Sequence, residues 1–190
     1  IIQQRHKMIN NNIIDNNFSW LNGRHLTVGF SGGKDSLATC LYLKENNIKF
    51  TPVFIDTGFE HEKTIDYIYN YCVPNIVPNL VTIRNEKYFD EKSEFAGGFE
   101  QLVADMKIFP SFKTRFCTRD LKVRPLLGYL NEIRIKTLKK PINVNGIRKQ
   151  ESKSRSKMSM IEEKDEATTY RPIINWSEQN VIDIIRKHDI

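Results

Sequence analysis

The sequence predicts an α/β fold in three layers, with helices on both faces of a mostly parallel sheet. Short apolar runs typical of strands alternate with longer segments whose apolar residues recur at helical spacing. The first such unit joins a strand at 25–28, a helix at 37–43 and a strand at 48–55. A strand, helix and strand of this length form a βαβ unit, in which the strands are parallel and the crossover is right-handed.

The length of 190 residues suits one domain, and the net charge of +6 is unevenly distributed along it. Residues 113–157 contain 14 Lys and Arg but only 3 Asp and Glu. A basic third on a mildly acidic body favours an anionic ligand, either polyphosphate or nucleic acid. For 134–140 a solvated basic surface is the better interpretation. We assign residues 1–24 to a helical extension that packs on the domain and residues 25–190 to the domain itself.

The cysteines and the apolar runs bear on where the chain works. Cys40, Cys72 and Cys117 are widely spaced and form no CxxC pair, so a disulfide framework or zinc site is not expected. A reducing cytoplasm is the predicted location. Cys72 lies at helical spacing among apolar residues and is predicted to be core, while Cys117 is either a structural cysteine or a reactive thiol. No apolar run approaches the roughly 20 residues of a membrane span, so no membrane partner is expected.

The most informative stretch is Ser31-Gly32-Gly33-Lys34-Asp35-Ser36, between the first strand and the first helix. Two adjacent glycines let backbone N–H groups point toward one spot, because no Cβ stands in the way. The helix that follows adds its unpaired N–H groups and the positive end of its dipole. With Lys34 as a mobile cation, this glycine loop is predicted to hold an anion such as phosphate. The alternative is an ordinary Gly-Gly turn.

The second predicted strand ends at Asp56-Thr57-Gly58. A carboxylate there lies beside the glycine loop, where nucleotide-binding folds place the group that contacts ribose or a metal. Asp56 is therefore a candidate for contact with nucleotide or Mg²⁺, and a helix N-cap is the alternative. Because Pro52 lacks an N–H, the paired part of this strand is expected to start at Val53.

The rest of the chain continues the alternation. Two further strands are predicted at 80–83 and 142–146, and 95–106 is predicted to be a loop with an irregular helix. Residues 156–169 have no apolar period and are predicted to be an exposed loop, with a short extended piece after it. Ser177 is the predicted N-cap of a final helix.

Two basic stretches in the second half are candidate anion sites. Arg115, Arg119 and Lys122 are spaced to share one face of a helix, where three cations repel unless an anion lies between them. A salt-bridged surface is the alternative, with only Asp120 as a local carboxylate.

The second basic stretch follows the strand at 142–146. Arg148, Ser152 and Arg155 are predicted to share a helical face at the carboxyl end of that strand. In open parallel sheets this rim is where ligands bind.

The glycine loop is not a Walker A loop, which has four residues between its first glycine and the Gly-Lys pair. It resembles the pyrophosphate loop (PP-loop) of the N-type ATP pyrophosphatases, in the adenine nucleotide alpha hydrolase-like superfamily. Four further pieces make the resemblance to the phosphoadenosine phosphosulfate (PAPS) reductase family more specific. The first piece is 54–58, and the second is 115–118 together with Leu121, Lys122 and Pro125. The third is 146–148 together with Glu151, Ser152 and Arg155, and the fourth is 171–177 together with Val181.

This resemblance implies a Rossmann-like sheet, with 25–190 as a PP-loop nucleotide-binding domain. The phosphates of ATP, or of a sulfonucleotide (PAPS or APS), would be held by Ser31, Gly32, Gly33, Lys34, Asp35 and Ser36. The adenosine would lie near Asp56, Thr57 and Gly58. A second anion (sulfate, a 3′-phosphate or a nucleic-acid backbone) would be bound by Arg115, Lys122, Arg148 and Arg155. The residues assigned to catalysis are Lys34, Asp35 and Arg148, with Mg²⁺ at Asp35.

Three hypotheses about the reaction stay open. The first is an enzyme that either cleaves ATP between its α and β phosphates or acts on a sulfonucleotide in sulfur metabolism. The complete glycine loop looks more like relatives that cleave ATP, and the cysteine-containing tail of the reductases does not occur before Ile190. The second is a sulfur-transfer component of nucleic-acid modification, similar to DNA phosphorothioation. The third is a nucleotide-binding module without catalysis.

The ends of the chain support one more expectation. Because the chain begins with Ile1 rather than Met, we expect it to be a fragment. Because members of the family it resembles often continue into a cysteine-containing segment, we expect it to be truncated at the C-terminus. A homodimer or a complex with a partner subunit is the expected assembly.

Overall fold

The centre of the molecule is a twisted sheet. The computed structural model describes residues 18–21, 23–89, 95 and 97–190. Its strands are β1 (Leu26–Gly29), β2 (Thr51–Ile55), β3 (Val81–Ile83), β4 (Ile142–Val144), β5 (Ile161–Glu163) and β6 (Thr168–Tyr170). They lie in the order β3-β2-β1-β4-β6-β5, and every neighbouring pair is parallel except β5 with β6. The predicted α/β fold with a mostly parallel sheet is confirmed.

Helices connect these strands. They are α1 (Lys34–Glu45), α2 (Glu62–Asp66), α3 (Phe99–Met106), α4 (Arg124–Thr137) and α5 (Glu178–Lys187). The chain continues from α2 through a wider π-helical turn (Tyr67–Cys72) and a last α turn (Val73–Asn75), and a second π-helical turn (Thr118–Val123) leads into α4. α1 packs against α5 and β1, and α4 packs against β3.

The main hydrophobic core lies between one face of the sheet and the helices α1 and α5. Val28, Val144 and Tyr170, from neighbouring strands, are fully buried in it. Burial raises the pKa of Cys40 in this core to about 12, and it also raises the pKa of Cys72. Both thiols are therefore neutral core groups at ordinary pH, as predicted for Cys72.

A second, smaller core lies at the carboxyl end of β3. It joins the 3₁₀ turn Glu86–Tyr88, helix α3 and the segment that holds Phe116 and Leu121. Gly98 N donates to the carbonyl oxygen of Tyr88 at 2.7 Å, which fixes the start of α3 against this turn. The region 97–106 is thus more regular than the predicted loop with an irregular helix.

The order of the strands creates a crevice at the carboxyl ends of β1 and β4, in the middle of the sheet. From β1 the chain moves outward to β2 and β3, and later returns to the other side of β1 for β4 and β6. The loops that leave β1 and β4 therefore diverge, and such a topological switch point is where open α/β sheets bind ligands. The glycine loop follows β1 and Gly146 follows β4, so both lie at this crevice.

Pro52 is paired within an interior strand, so the prediction that pairing starts at Val53 is wrong. Pro52 lies opposite Val28 of β1. The carbonyl oxygen of Val53 accepts from Phe30 N at 2.8 Å, so the backbone groups of Val53 face β1 and those of Pro52 face β3. β3 begins opposite Val53, one residue later. An N–H group at position 52 would therefore have no neighbouring strand to bond, so the proline removes no hydrogen bond from the sheet.

The prediction of an exposed loop over 156–169 is also wrong, because the chain forms a hairpin there. Ile161 of β5 lies opposite Tyr170 of β6. The apolar pattern gives no signal, because β5 has the sequence Ile-Glu-Glu and only its first residue is buried. Its carboxylates are engaged: Glu162 pairs with Arg171 at 2.6 Å, and Glu163 accepts from Thr168 at 3.0 Å.

The predicted helical extension over 1–24 lies mostly outside the described residues, which begin at 18. Within that range Ser19–Leu21 forms one 3₁₀ turn. Trp20 contacts Tyr170 edge to face, with 5.2 Å between the ring centroids. Across the described ranges, every helix is too short or too polar to cross a bilayer.

Gly146 allows the loop after β4 to touch the first turns of α1, and this contact can be tested. A Cβ at Gly146 would lie 2.6 Å from the carbonyl oxygen of Asp35 and 2.7 Å from Oγ1 of Thr39. We expect Gly146→Ala to lower the free energy of unfolding by about 1–3 kcal/mol, as overpacking does. Urea denaturation measures this change.

Gly128→Ala is the matched control, because Gly128 lies within α4 and a Cβ there meets no atom within 4 Å. It should raise the free energy of unfolding by about 0.5–1 kcal/mol, since Ala loses less backbone entropy in a helix than Gly. Equal effects of the two substitutions would contradict the close approach at Gly146.

Candidate functional site

The glycine loop is fixed by its backbone conformation and by packing. Gly32 has a φ of +73°, in the left-handed region that glycine adopts without a steric penalty. A Cβ at Gly32 would also lie 2.9 Å from the side chain of Ile68, in the π-helical turn after α2. Both the conformation and the space therefore require glycine at this position.

The hydroxyl groups of the loop bond within the loop and leave the start of α1 open. Ser36 Oγ accepts from Ser31 N at 3.2 Å and donates to the carbonyl oxygen of Gly33 at 2.8 Å. Gly33 is the N-cap residue of α1, and no side chain caps the first turn. The N–H groups without a partner among the described residues are those of Lys34, Asp35 and Ser36. An open helix end of this kind is suited to bind an anion.

Lys34, the first residue of α1, forms an ion pair with Glu178, the first residue of α5. The two side chains are 48% and 59% exposed. The hydrogen bond from Lys34 lowers the pKa of Glu178. Because the pair is exposed and screened by solvent, it holds the two side chains together only weakly.

Arg148 and Asp35 form an ion pair whose members are both largely buried. Arg148 Nε donates to Asp35 Oδ1 at 2.5 Å, and the side chains are 7% and 20% exposed. The backbone N–H of Arg148 donates to Glu151 at 2.7 Å, and Glu151 also pairs with Arg155. Glu151 thus links the two arginines at the carboxyl end of β4.

Residues 147–155 do not form the predicted helix. Two short 3₁₀ turns, Lys149–Glu151 and Arg155–Lys157, replace it. Ser152 is extended, with φ −167° and ψ 160°, and its Oγ accepts from Arg155 N at 3.2 Å. A serine that bonds the backbone in this way competes with helix formation. Arg148 and Arg155 are therefore brought together by a shared carboxylate and not by a common helical face.

The loop after β2 is organised by two carboxylates. Asp56 Oδ1 accepts from Gly58 N at 2.8 Å. Glu60 accepts from the N–H of Thr57 at 3.0 Å and from its hydroxyl group at 2.7 Å. The N-cap of the following helix is His61, so the alternative role of Asp56 as that N-cap is excluded. Asp56 remains partly exposed, on the strand next to β1.

Asp120 is the buried centre of the first basic stretch. Its side chain is 2% exposed and pairs with Arg119 at 2.7 Å and with Arg124 at 2.6 Å. The hydrogen bond from Arg119 is the largest cause that lowers the pKa of Asp120. One carboxylate therefore neutralises part of the charge of two arginines, which the salt-bridge alternative predicted in outline.

Arg115 and Lys122 are exposed, and neither has an ion-pair partner among the described residues. Asn85, just after β3, donates to the carbonyl oxygen of Asp120 at 2.8 Å. This bond places the stretch at the carboxyl end of β3. It lies on the same rim as the glycine loop but two strands away from β1.

The prediction that Arg115, Arg119 and Lys122 share one face of a regular helix is wrong. The helix widens into the π-helical turn Thr118–Val123, just before Pro125. A proline ring in an α-helix collides with the carbonyl group four residues earlier, and a wider turn moves that group away. Pro74 follows the other π-helical turn in the same way.

The structure thus brings the glycine loop, Asp35, Arg148 and the Asp56 loop to one crevice, with Arg155 joined through Glu151. No hydrogen bond or ion pair among the described residues joins Arg115 or Lys122 to the glycine loop. Glu178 and Glu151 are functional partners that were not predicted from the sequence. Glu178 is 144 residues from Lys34 and carries no local signal. Glu151 stands three residues after Arg148, the spacing of a capping box, and this was a usable signal.

Asp35 offers limited metal-binding chemistry by itself. The described residues contain no group of three or more metal-ligating side chains. Asp35 Oδ1 accepts from Arg148, and no hydrogen bond from the described part of the chain reaches Oδ2. Mg²⁺ in nucleotide enzymes is held by one or two carboxylates together with phosphate oxygens and water. One partly free carboxylate fits a metal that arrives with a nucleotide.

A glycine loop, an open helix end, a lysine and a buried arginine at a switch point define the nucleotide-binding class of α/β proteins. Within that class, the chain matches the model of the phosphoadenosine phosphosulfate reductase domain over residues 25–190. The chain belongs to this family, and the family predicted from its motifs is confirmed.

Similar proteins extend beyond the region matched here. An uncharacterized 37.8 kDa protein of Escherichia phage 186 is 31% identical over 210 residues, covering 86% of this chain and 60% of that protein. An uncharacterized protein of Methanocaldococcus jannaschii is 25% identical over 168 residues, covering 87% of this chain and 36% of that protein. The chain therefore spans less than two thirds of the length of either.

Two solved structures share the fold. The PAPS reductase from Candida auris, in a phosphate complex, has a TM-score of 0.64 and 15% identity, covering 94% of this chain and 79% of that one. The NMN synthetase from Francisella tularensis has a TM-score of 0.57 and 15% identity, covering 99% of this chain and 71% of that one. At this identity the likeness establishes the fold alone.

The Asp120 cluster gives a testable pH dependence. Asp120→Asn should lower the free energy of unfolding by about 2 kcal/mol near neutral pH, because two arginines lose a buried carboxylate. Since the folded pKa of Asp120 is lowered, its stabilisation is present above the unfolded pKa of about 3.9 and is lost as the pH falls through the folded pKa. The difference between the two proteins should therefore shrink in acid, as measured by urea denaturation.

Glu86→Gln is the control for this prediction, because Glu86 pairs with Arg84 with its own side chain 72% exposed. It should change the free energy of unfolding by about 0.5 kcal/mol or less. A difference for Asp120→Asn that does not depend on pH would contradict the assignment of its effect to the charged carboxylate.

Proposed function

We propose that this domain binds an adenine nucleotide and cleaves ATP between its α and β phosphates, with transfer of the adenylyl group to an acceptor. The observation that carries the proposal is the open end of α1 with Lys34 beside the buried Asp35–Arg148 pair. The complete glycine loop favours ATP over the sulfonucleotides PAPS and APS. The same reaction is proposed for the longer proteins that contain such a domain.

The glycine loop holds the pyrophosphate that leaves. The backbone N–H groups of Lys34, Asp35 and Ser36 have no protein partner among the described residues and meet phosphate oxygens at the positive end of α1. Lys34 exchanges Glu178 for a phosphate. Positioned donors of this kind stabilise the charge that develops on the leaving group.

The bond changes need little proton chemistry. An oxygen anion of the acceptor attacks the α phosphorus, and the bond from this phosphorus to the bridging oxygen breaks. Both electrons of that bond leave with the pyrophosphate. No general base is required when the acceptor is already an anion, so positioning and charge neutralisation carry the catalysis.

Arg148 and Asp35 have complementary roles in this proposal. Arg148 is held in place by Asp35 and by Glu151, so its guanidinium group is fixed before the nucleotide arrives. Asp35 would help to hold Mg²⁺ that arrives with the nucleotide, and the ion would supply further neutralisation of charge.

The remaining site residues bind the ribose of the nucleotide and a second anion. Asp56 has one carboxylate oxygen engaged by Gly58, and the other is suited to accept from a ribose hydroxyl group. Arg155, Arg115 and Lys122 are the cations for a second anion, which would be sulfate, the phosphate of a sulfonucleotide or a nucleic acid.

A second candidate is a sulfur-transfer component that acts on nucleic acid. The observation in its favour is the exposed positive charge at Arg115 and Lys122, which has no carboxylate partner among the described residues. A nucleotide-binding module without catalysis is the third, and it predicts ATP binding without release of pyrophosphate.

Lys34→Ala tests the role of the glycine loop. We expect it to reduce pyrophosphate release from ATP with Mg²⁺ by about 100-fold or more, as loss of one fixed charge-stabilising donor does. It should also weaken ATP binding in titration calorimetry. Lys44→Ala, at the exposed opposite end of α1, is the control and should behave as the wild type. Normal release by Lys34→Ala would contradict the proposal.

Glu178→Gln tests whether Glu178 competes with the phosphates for Lys34. Since the Lys34–Glu178 pair is exposed and weak, its loss should tighten ATP binding by about fivefold or less, and by less at high salt. Glu166→Gln removes an exposed carboxylate elsewhere and should leave the Kd unchanged. Weaker ATP binding by Glu178→Gln would instead identify Glu178 as a group that supports the site.

A further inference from the structure

An exposed apolar surface follows α3, outside the crevice. Within the loop of residues 106–116, Phe109 exposes 77% of its surface and Phe112 exposes 93%. Met106 and Ile108 are 41% and 50% exposed. Single exposed apolar residues are common, but a contiguous group of them marks an interaction site.

The tip of this loop is closed by hydrogen bonds. Ser111 N donates to the carbonyl oxygen of Thr114 at 3.2 Å, and Thr114 N donates to Ser111 Oγ at 3.2 Å. The two hydroxyl groups are 2.7 Å apart. Phe112 and Lys113 lie between these residues, so a closed turn presents an aromatic ring and a cation to the solvent.

The same loop carries positive charge that the described residues do not neutralise. Lys107, Lys113 and Arg115 are exposed and have no ion-pair partner in the described ranges. A groove of about 370 Å³ runs along the loop, and no described carboxylate lines it. Its lining includes Met106, Ile108, Lys113, Arg115, Phe116 and Arg119.

We propose that the 106–116 loop binds a single strand of nucleic acid, with bases stacked on Phe109 and Phe112 and phosphates at Lys107, Lys113 and Arg115. Alternating aromatic and basic side chains are how proteins hold single strands without reading their sequence. In a duplex the faces of the bases are already stacked, so exposed phenylalanines add nothing there. A protein partner would have to bury the three unpaired cations, which is costly unless it supplies carboxylates for each.

The position of the loop connects this surface with the crevice. Phe99 N, at the start of α3, donates to the carbonyl oxygen of Thr57 at 2.8 Å, and the rings of Phe59 and Phe99 lie 4.4 Å apart. α3 has 8 residues, which span about 12 Å. A nucleic-acid strand on the loop therefore binds about one helix length from the rim beside Asp56. Binding of the nucleic-acid strand to the loop is independent of the proposed function. Its identification as the acceptor of the adenylyl group rests on that function.

Fluorescence anisotropy with a labelled single strand of about 12 nucleotides, within the site sizes known for such surfaces, tests the proposal. Phe109→Ala/Phe112→Ala should weaken binding by about tenfold or more. Lys107→Gln/Lys113→Gln should reduce the slope of log Kd against log salt by about 1.4, because two phosphate contacts are lost. DNA and RNA strands of one sequence distinguish the two possible ligands.

Matched controls exist on α4 and just beyond it. Ile135 and Leu138 are 65% and 90% exposed, so Ile135→Ala/Leu138→Ala removes a similar exposed apolar area. Lys136→Gln removes one exposed cation from the same helix. These variants should bind the strand as the wild type does, and circular dichroism should show that all variants are folded.

Three results in the binding assay would overturn the proposal: no binding of the strand by the wild type at low salt, unchanged binding by the phenylalanine variant, or equal affinity of the wild type for a duplex. A fourth would be a wild-type dimer that dissociates in the phenylalanine variant while the affinity for the strand stays the same. The last would identify the loop as a protein interface. Phenylalanine-dependent binding by a wild type that releases no pyrophosphate from ATP would contradict the proposed function and leave this inference intact.

Discussion

The ion pair between Asp35 and Arg148 is the contact on which the crevice depends. It joins the first turn of α1 to the loop after β4, although the two residues are 113 positions apart in the sequence. Gly146 provides the space for this contact, and Glu151 orients the backbone of Arg148. Removal of either partner alone would leave a charge in a largely buried place, which typically costs several kcal/mol. The site and the packing of the two halves of the sheet are therefore coupled.

The cations of the crevice differ in how readily they can exchange partners. Lys34 holds an exposed carboxylate, so in the proposed function a phosphate replaces Glu178 with little change in solvation. Arg155 pairs with Glu151, whose side chain is 24% exposed and also accepts from Arg148 N. Arg148 is buried against Asp35 and keeps its partner. The protein's own carboxylates thus stand where a polyanion would bind, and binding replaces one set of ion pairs with another.

Local chemistry in the sequence predicted the parts of the site that are contiguous. The glycine loop, the Asp56 loop and the Ser177 cap are short segments whose residues act on their own neighbours, and Ser177 does accept from Asn180 N. Partners such as Glu178 could not be predicted, because their contacts arise only after the sheet has formed. The hairpin of β5 and β6 was hidden because β5 has a single buried residue, and β6 is buried throughout although two of its three residues are threonines, so neither strand shows an apolar period. Pro52 misled for a related reason, since the tolerance of a strand for proline depends on where the neighbouring strand begins.

The two π-helical turns restrict the number of residues that the chain can have ahead of Pro74 and Pro125. Each has one more residue per hydrogen-bonded turn than an α-helix, just ahead of a proline. Deleting one residue between 118 and 123 would narrow this turn to regular winding, and the carbonyl group four residues before Pro125 would then meet the proline ring. The first basic stretch should accordingly tolerate no loss of a residue ahead of Pro125.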